Sequence, residues 1–255
     1  MTIRTRSKAR KTRLYGIIGS LGLLVAVWAA NAAPPLKITS DVASIADLTA
    51  ESQALLTSIE QSLATEESYN GRREPLRRQA IQIAIFAQAL AEHDGDSPEK
   101  RTAPGLRDSA LGLARAMSFD EASQAFPSVK AALAGQPRGT PNVEADWGKL
   151  ARAGTLMHVM KERSEAIRRG LRRPKDPEVE SRHATAIALM ILVVHGDTHA
   201  VKSPVDKQAW QDICLELQGH MSLAAAAIKT RDNSAADHFR LGMEACDKCH
   251  QKFKP

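Results

Sequence analysis

The chain is predicted to be all-α: a C-terminal four-helix bundle preceded by a second, degenerate helical bundle and an N-terminal signal or anchor segment. Three observations predict it. Aromatic residues are only 4% of the sequence, and no alternating β-branched run bounded by turn residues occurs. Apolar residues recur at three- and four-residue steps, the period of an amphipathic helix. The chain also closes on Cys246-Asp-Lys-Cys249-His250, a Cys-x-x-Cys-His sequence, which is a haem attachment pattern.

The N-terminus comes first. Residues 1–13 hold Arg4, Arg6, Lys8, Arg10, Lys11 and Arg13 and no acid, and Leu14 to Ala33 then runs uncharged. Ala30-Asn31-Ala32 supplies a small-residue exit, so residues 1–33 have the layout of a secretory signal. An apolar run of about 20 residues also suffices to span a bilayer uncleaved as an anchor. Both readings put the remainder outside the cytoplasm, in the periplasm, with the positive residues inside. Six of the 35 Lys+Arg and none of the 29 Asp+Glu lie in residues 1–32. Residues 33–255 are therefore formally neutral, which removes the charge argument for a nucleic-acid partner.

Residues 40–134 read as a first helical bundle. Gly135-Gln-Pro-Arg-Gly-Thr-Pro141 cannot continue a helix, so 135–141 is predicted to be a linker to a second bundle over 142–255. The two sides align as copies. Leu106 to Met117 matches Trp210 to Met221 without a gap, and an Ala/Ile-rich helix ends at His93 in one and at His195 in the other. The first copy closes on Phe126 to Ala134, where no Cys or His occurs.

Four helices are predicted in the second half. One runs from Asp146 to Leu171, with Leu150, Leu156, Met160, Ile167 and Leu171 at helical spacing. Another covers Pro177 to Val194 and places Ala184, Ile187, Ala188, Ile191 and Val194 on one side. The third starts at Ser203 as N-cap with Pro204 at the first helical position. The fourth starts near Asn233 and shows Phe239, Met243, Cys246, His250 and Phe253 as one stripe, predicted to be buried against the other three helices.

In Cys-x-x-Cys-His, Cys246 and Cys249 add to the haem vinyl groups and His250 becomes the proximal iron ligand. A redox dithiol belongs near a βαβ pattern, which this chain lacks. A structural zinc site needs a second pair of ligands, and the only other cysteine is Cys214. One haem c per chain is the cofactor expected, and 142–255 is the haem domain. Only Gln251 to Pro255 follow His250, and none is a methionine, so any sixth ligand is expected from upstream.

With this late attachment motif and the following Phe253-Lys254 pair, the sequence resembles the cytochrome c′ family, the class II c-type cytochromes. The motif-level resemblance covers residues 233–255, and over 142–232 it is architectural. It implies an antiparallel four-helix bundle whose first helix faces the distal side of the haem. Depending on the family member, that helix offers an apolar residue or a methionine. Here it offers Met157 and Met160, with Met160-Lys161 in the more family-like place. The alternative is that both methionines are core filler. Members of that family often dimerise through their first two helices, which makes a homodimer one of the partner arrangements open to this chain.

Other residues carry less. Cys214 sits on the apolar face of the third helix and reads as a buried thiol. His195 and His199 flank a helix end and read as surface groups rather than a metal pair. Arg168 to Arg173 reads as a solvated helix C-terminus, with a docking patch for an acidic redox partner or anionic lipid as its functional reading. No nucleophile–base arrangement or phosphate loop marks an enzyme. The functional expectation is single-electron transfer with a redox partner protein. The alternatives are an open haem binding nitric oxide or carbon monoxide, and a docking role for the haemless first half.

Overall fold

The computed structural model describes residues 38–253 except 138, 141–144, 200 and 202. The signal or anchor segment 1–33 and Lys254 lie outside the described residues, as does part of the predicted linker 135–141. The described residues belong to one compact unit and are all-α. Their helices are α1 (Ile45–Ser62), α2 (Glu66–Glu92), α3 (Pro98–Arg115), α4 (Phe119–Leu133), α5 (Ala153–Arg172), α6 (Pro177–Gly196), α7 (Pro204–Thr230) and α8 (Ala235–Phe253), with a 3-10 turn at Trp147–Lys149. Among the described residues no helix is long and apolar enough to cross a membrane.

Most helix starts follow local chemistry. Ser44, Thr65, Ser97, Ser118, Asp176 and Ser203 each accept a backbone N–H two or three residues on, satisfying donors that a helix leaves open at its first turn. Consecutive helices then pack side by side, α1 to α4 in one run and α5 to α8 in the other. The same order of elements thus appears on both sides of residues 135–141. The aligned segments fall on the third helix of each run, but α3 stops at Arg115 whereas α7 continues to Thr230. Met117 is consequently exposed while Met221 is buried.

Two helices form the centre. α2 is buried on every side from Ala80 to Leu90, and α6 from Ala184 to Val194. The sequence pattern predicts only one buried face for α6, but this helix is enclosed by α5, α7 and α2 together. An apolar Ala/Ile run tolerates that enclosure because it has no polar side that needs water.

α5 begins at Ala153, seven residues later than its sequence predicts. The reason is a backbone crossing: the 3-10 turn passes over the end of α6, Gly148 against Gly196. A Cβ on Gly148 would lie 2.6 Å from the Gly196 carbonyl carbon and oxygen. Beyond the crossing, Arg152 offers no side-chain cap to α5. Asp197, just past α6, accepts the Ala153 N–H at 3.0 Å instead. A cap from 44 residues away leaves no local sequence signal.

The two helical runs are joined by a buried polar cluster. Arg163 on α5 pairs with Glu51 on α1 at 2.5 Å. It also donates to the Gln82 side-chain oxygen on α2 at 2.7 Å and meets His183 Nδ1 on α6 at 3.0 Å. A guanidinium only donates, so His183 Nδ1 accepts and the ring is neutral. Burial first, then the Arg163 charge, lowers the His183 pKa to about 4.

This cluster makes stability pH-dependent. The folded pKa of His183 lies below its unfolded value near 6.5, so between pH 6.5 and 4 the unfolded chain binds more protons. Stability is expected to fall as pH drops through that window, by on the order of 2 kcal/mol from this ring with its partial exposure allowed for. Urea unfolding of wild type and His183→Gln across pH 4 to 6.5 checks it. The variant should lose less stability on acidification, and parallel profiles would contradict the assignment.

Candidate functional site

α8 meets α7 along a line of small side chains. Ala235, Phe239, Gly242 and Ala245 are its buried residues. Gly242 makes the closest approach, for a Cβ there would lie 2.4 Å from Met221 Cε. This geometry corrects the predicted stripe. Phe239 is buried, but Met243, Cys246 and Phe253 are half-buried and His250 is exposed. The small residues bring α8 onto α7, which turns the Met243–Cys246–His250 line aside toward α5. Phe253 packs edge-on against Trp210 with centroids 5.3 Å apart, and the Arg168 guanidinium sits 5.7 Å from the Phe239 ring centroid.

α5 and α8 have no extensive interface; between them lies a cavity of about 350 Å³, lined chiefly by these two helices. From α5 come Met157, Met160 and Ser164, and from α8 Met243, Cys246 and His250. Ile187 of α6 and Met221 of α7 complete the apolar lining, while His158, Lys161, Glu165 and Arg168 add polar groups. Met160 is buried, Met157 half-buried and His158 exposed. The Ser164 hydroxyl donates to the Met160 carbonyl at 2.7 Å, which satisfies a buried hydroxyl within the cavity wall.

The structure therefore brings Cys246, His250, Met157 and Met160 to one cavity. Cys249 is outside the cavity lining and half-buried. Burial, then Cys249 and Asp247, pushes the Cys246 thiol up to about 11, and burial raises Cys249. Both are thiols at neutral pH, and poor nucleophiles in the folded chain. Sequence periodicity places Met221 and Met243 on inward faces but does not reveal that they share a cavity with Met157 and Met160. Ser164 and Ile187 carry no signal of their role, since contacts between helices decide it.

The remaining candidates have structural partners. Cys214 is buried on α7, and burial followed by the two α8 thiols raises its pKa to about 12. His93 is bonded at both ring nitrogens, accepting the Gly95 N–H at 2.9 Å and facing the Ala43 carbonyl at 2.9 Å. His199 bonds Asp197 on the surface, and burial lowers the pKa of His195 in the last turn of α6. Among the described residues no group of three or more His, Cys, Asp or Glu is placed to hold a metal ion.

Cys246, Cys249 and His250 are the residues that could hold a covalently bound haem, with Cys246 and His250 at the cavity and Cys249 beside it. Two thiols lie three residues apart on one helix, an imidazole follows at the cavity lip, and thioethers are concentrated in an apolar wall. The cavity volume, about 350 Å³, falls within the usual range for ligand pockets. Comparisons with protein-family models, curated proteins and solved structures gave no match.

Thiol chemistry offers a direct check. Native protein produced with haem attachment is expected to take up no iodoacetamide, and urea-unfolded protein one equivalent, at Cys214. Labelling of Cys214 in the native state would contradict its burial. Three labels after unfolding would mean that Cys246 and Cys249 remain free thiols.

Proposed function

We propose that this chain is an extracytoplasmic c-type cytochrome that carries single electrons, with α5 to α8 as its four-helix haem bundle. The observation that carries the reading is the cavity lined by Cys246 and His250 of the α8 Cys-x-x-Cys-His sequence together with Met157 and Met160 of α5. Cys246 and Cys249 would hold the ring by thioether bonds, and His250 would be the proximal ligand. The haem iron, when bound, supplies a reversible one-electron couple. The chain's own work is to fix the ring, limit water through the methionine-lined wall, and set the potential from the distal side.

Met160 is the better distal donor of the two. It is buried, and its carbonyl is held by Ser164. Thioether ligation of haem raises the reduction potential, which suits a carrier working outside the cytoplasm. Residues 1–33 would deliver or tether the chain in the periplasm.

The first run, α1 to α4, fits a degenerate repeat without haem. Its fourth helix, α4, has neither Cys nor His and touches α1. Members of the cytochrome c′ family often dimerise through the first two helices of the bundle. In this chain those helices, α5 and α6, pack against α1 and α2. The first run therefore covers part of α5 and α6.

Optical spectra of protein matured with periplasmic haem attachment test the ligand. Wild type is expected to be low-spin and six-coordinate. Met160→Ala should become high-spin, respond to carbon monoxide or nitric oxide, and fall in potential. A wild type that is already high-spin and gas-responsive would favour the gas-binding alternative. An unchanged spectrum in both Met160→Ala and Met157→Ala would overturn the methionine assignment.

A further inference from the structure

A second cleft, of about 710 Å³, opens beside the start of α5 with walls from both helical runs. Four cations line it: Arg77 of α2, Arg115 of α3, and Lys149 and Arg152 of the segment leading into α5. Arg77, Arg115 and Arg152 have no carboxylate partner among the described residues. Lys149 reaches only Asp146, at 3.5 Å with both side chains largely exposed. The sole carboxylate lining the cleft is Asp197, and it is committed to the Ala153 N–H and to His199.

Four like charges brought together from three elements repel one another, and nothing in the fold itself requires them. Each side chain is exposed, so none is there to fill core. A concave surface lined by one sign of charge concentrates counter-ions, and guanidinium groups match the planar oxygens of carboxylate and phosphate. The cleft also has an apolar side, formed by Ile81, Leu111, Leu150 and Trp210. A ligand using both would have an anionic head and a compact apolar body.

We propose that this cleft binds a small organic anion, a phosphate ester or dicarboxylate carrying an apolar or aromatic group. The site is separate from the α5–α8 cavity and independent of the haem reading. Because its walls come from both runs, an occupant would bridge them and resist their separation.

Isothermal titration calorimetry of the full-length protein, with or without attached haem, tests this, with phenyl phosphate and phthalate as probes and inorganic phosphate as the head group alone. One saturable site per chain is expected, tighter for at least one aromatic probe than for phosphate. Whichever aromatic probe binds tighter identifies the head group. Arg77→Ala with Arg152→Ala should weaken it at least about tenfold, since each removes a charge-assisted hydrogen bond. Both residues are exposed, and unchanged thermal melts would confirm that the variant folds. Arg169→Ala with Arg172→Ala, at the far end of α5, should leave the affinity unchanged. The proposal is overturned by no saturable heat with any probe, by phosphate binding as well as both aromatic probes, or by equal losses in the two double variants, which would mark diffuse charge attraction.

Discussion

Arg163 is a charge placed between two helical runs, and its solvation depends on both. Glu51 and Gln82 reach it from the first run and His183 from the second. A buried ion pair adds little net stability, but removing one member leaves an uncompensated charge that costs roughly 3–5 kcal/mol. The cluster therefore fixes position more than it adds strength. α5 cannot slide or rotate against α1 and α2 without breaking it. Met160 and Ser164 flank Arg163 on that helix, so the ionic cluster sets where one wall of the α5–α8 cavity stands.

The opposite wall is set by size rather than charge. Gly242 and Ala245 let α8 approach α7 closely, and that approach turns Cys246 and His250 toward the cavity. A bulkier residue at 242 would first collide with Met221, itself part of the cavity lining. In the proposed function one helix presents the covalent attachment and the other the distal donor, each held by a different kind of contact.

Much of this is legible in the sequence. Helical periodicity and N-caps identify the second-half helices, and Ser203 caps α7 as predicted. Cys246, Cys249 and His250 are identifiable because their chemistry is local, a fixed spacing on one helix. Met157 and Met160 are legible as candidates through the resemblance to a known family. The start of α5 is not, because Gly148 crossing Gly196 and Asp197 capping Ala153 are long-range events. Nor is the orientation of α8. Periodicity identifies a stripe of large apolar residues, whereas the contact with α7 is made mainly by small ones. The Arg163 cluster has no signal at all, since Glu51, Gln82, Arg163 and His183 are distant from one another along the chain.

The most direct test is the intact mass of the protein matured in a periplasm that attaches haem, measured after denaturation and acid extraction, beside Cys246→Ala/Cys249→Ala. One haem should be retained by the wild type and none by the variant, with the wild-type peptide spanning residues 246–250 carrying the added mass. A wild-type chain that releases its haem on extraction, or never acquires one, would contradict a covalently bound cytochrome.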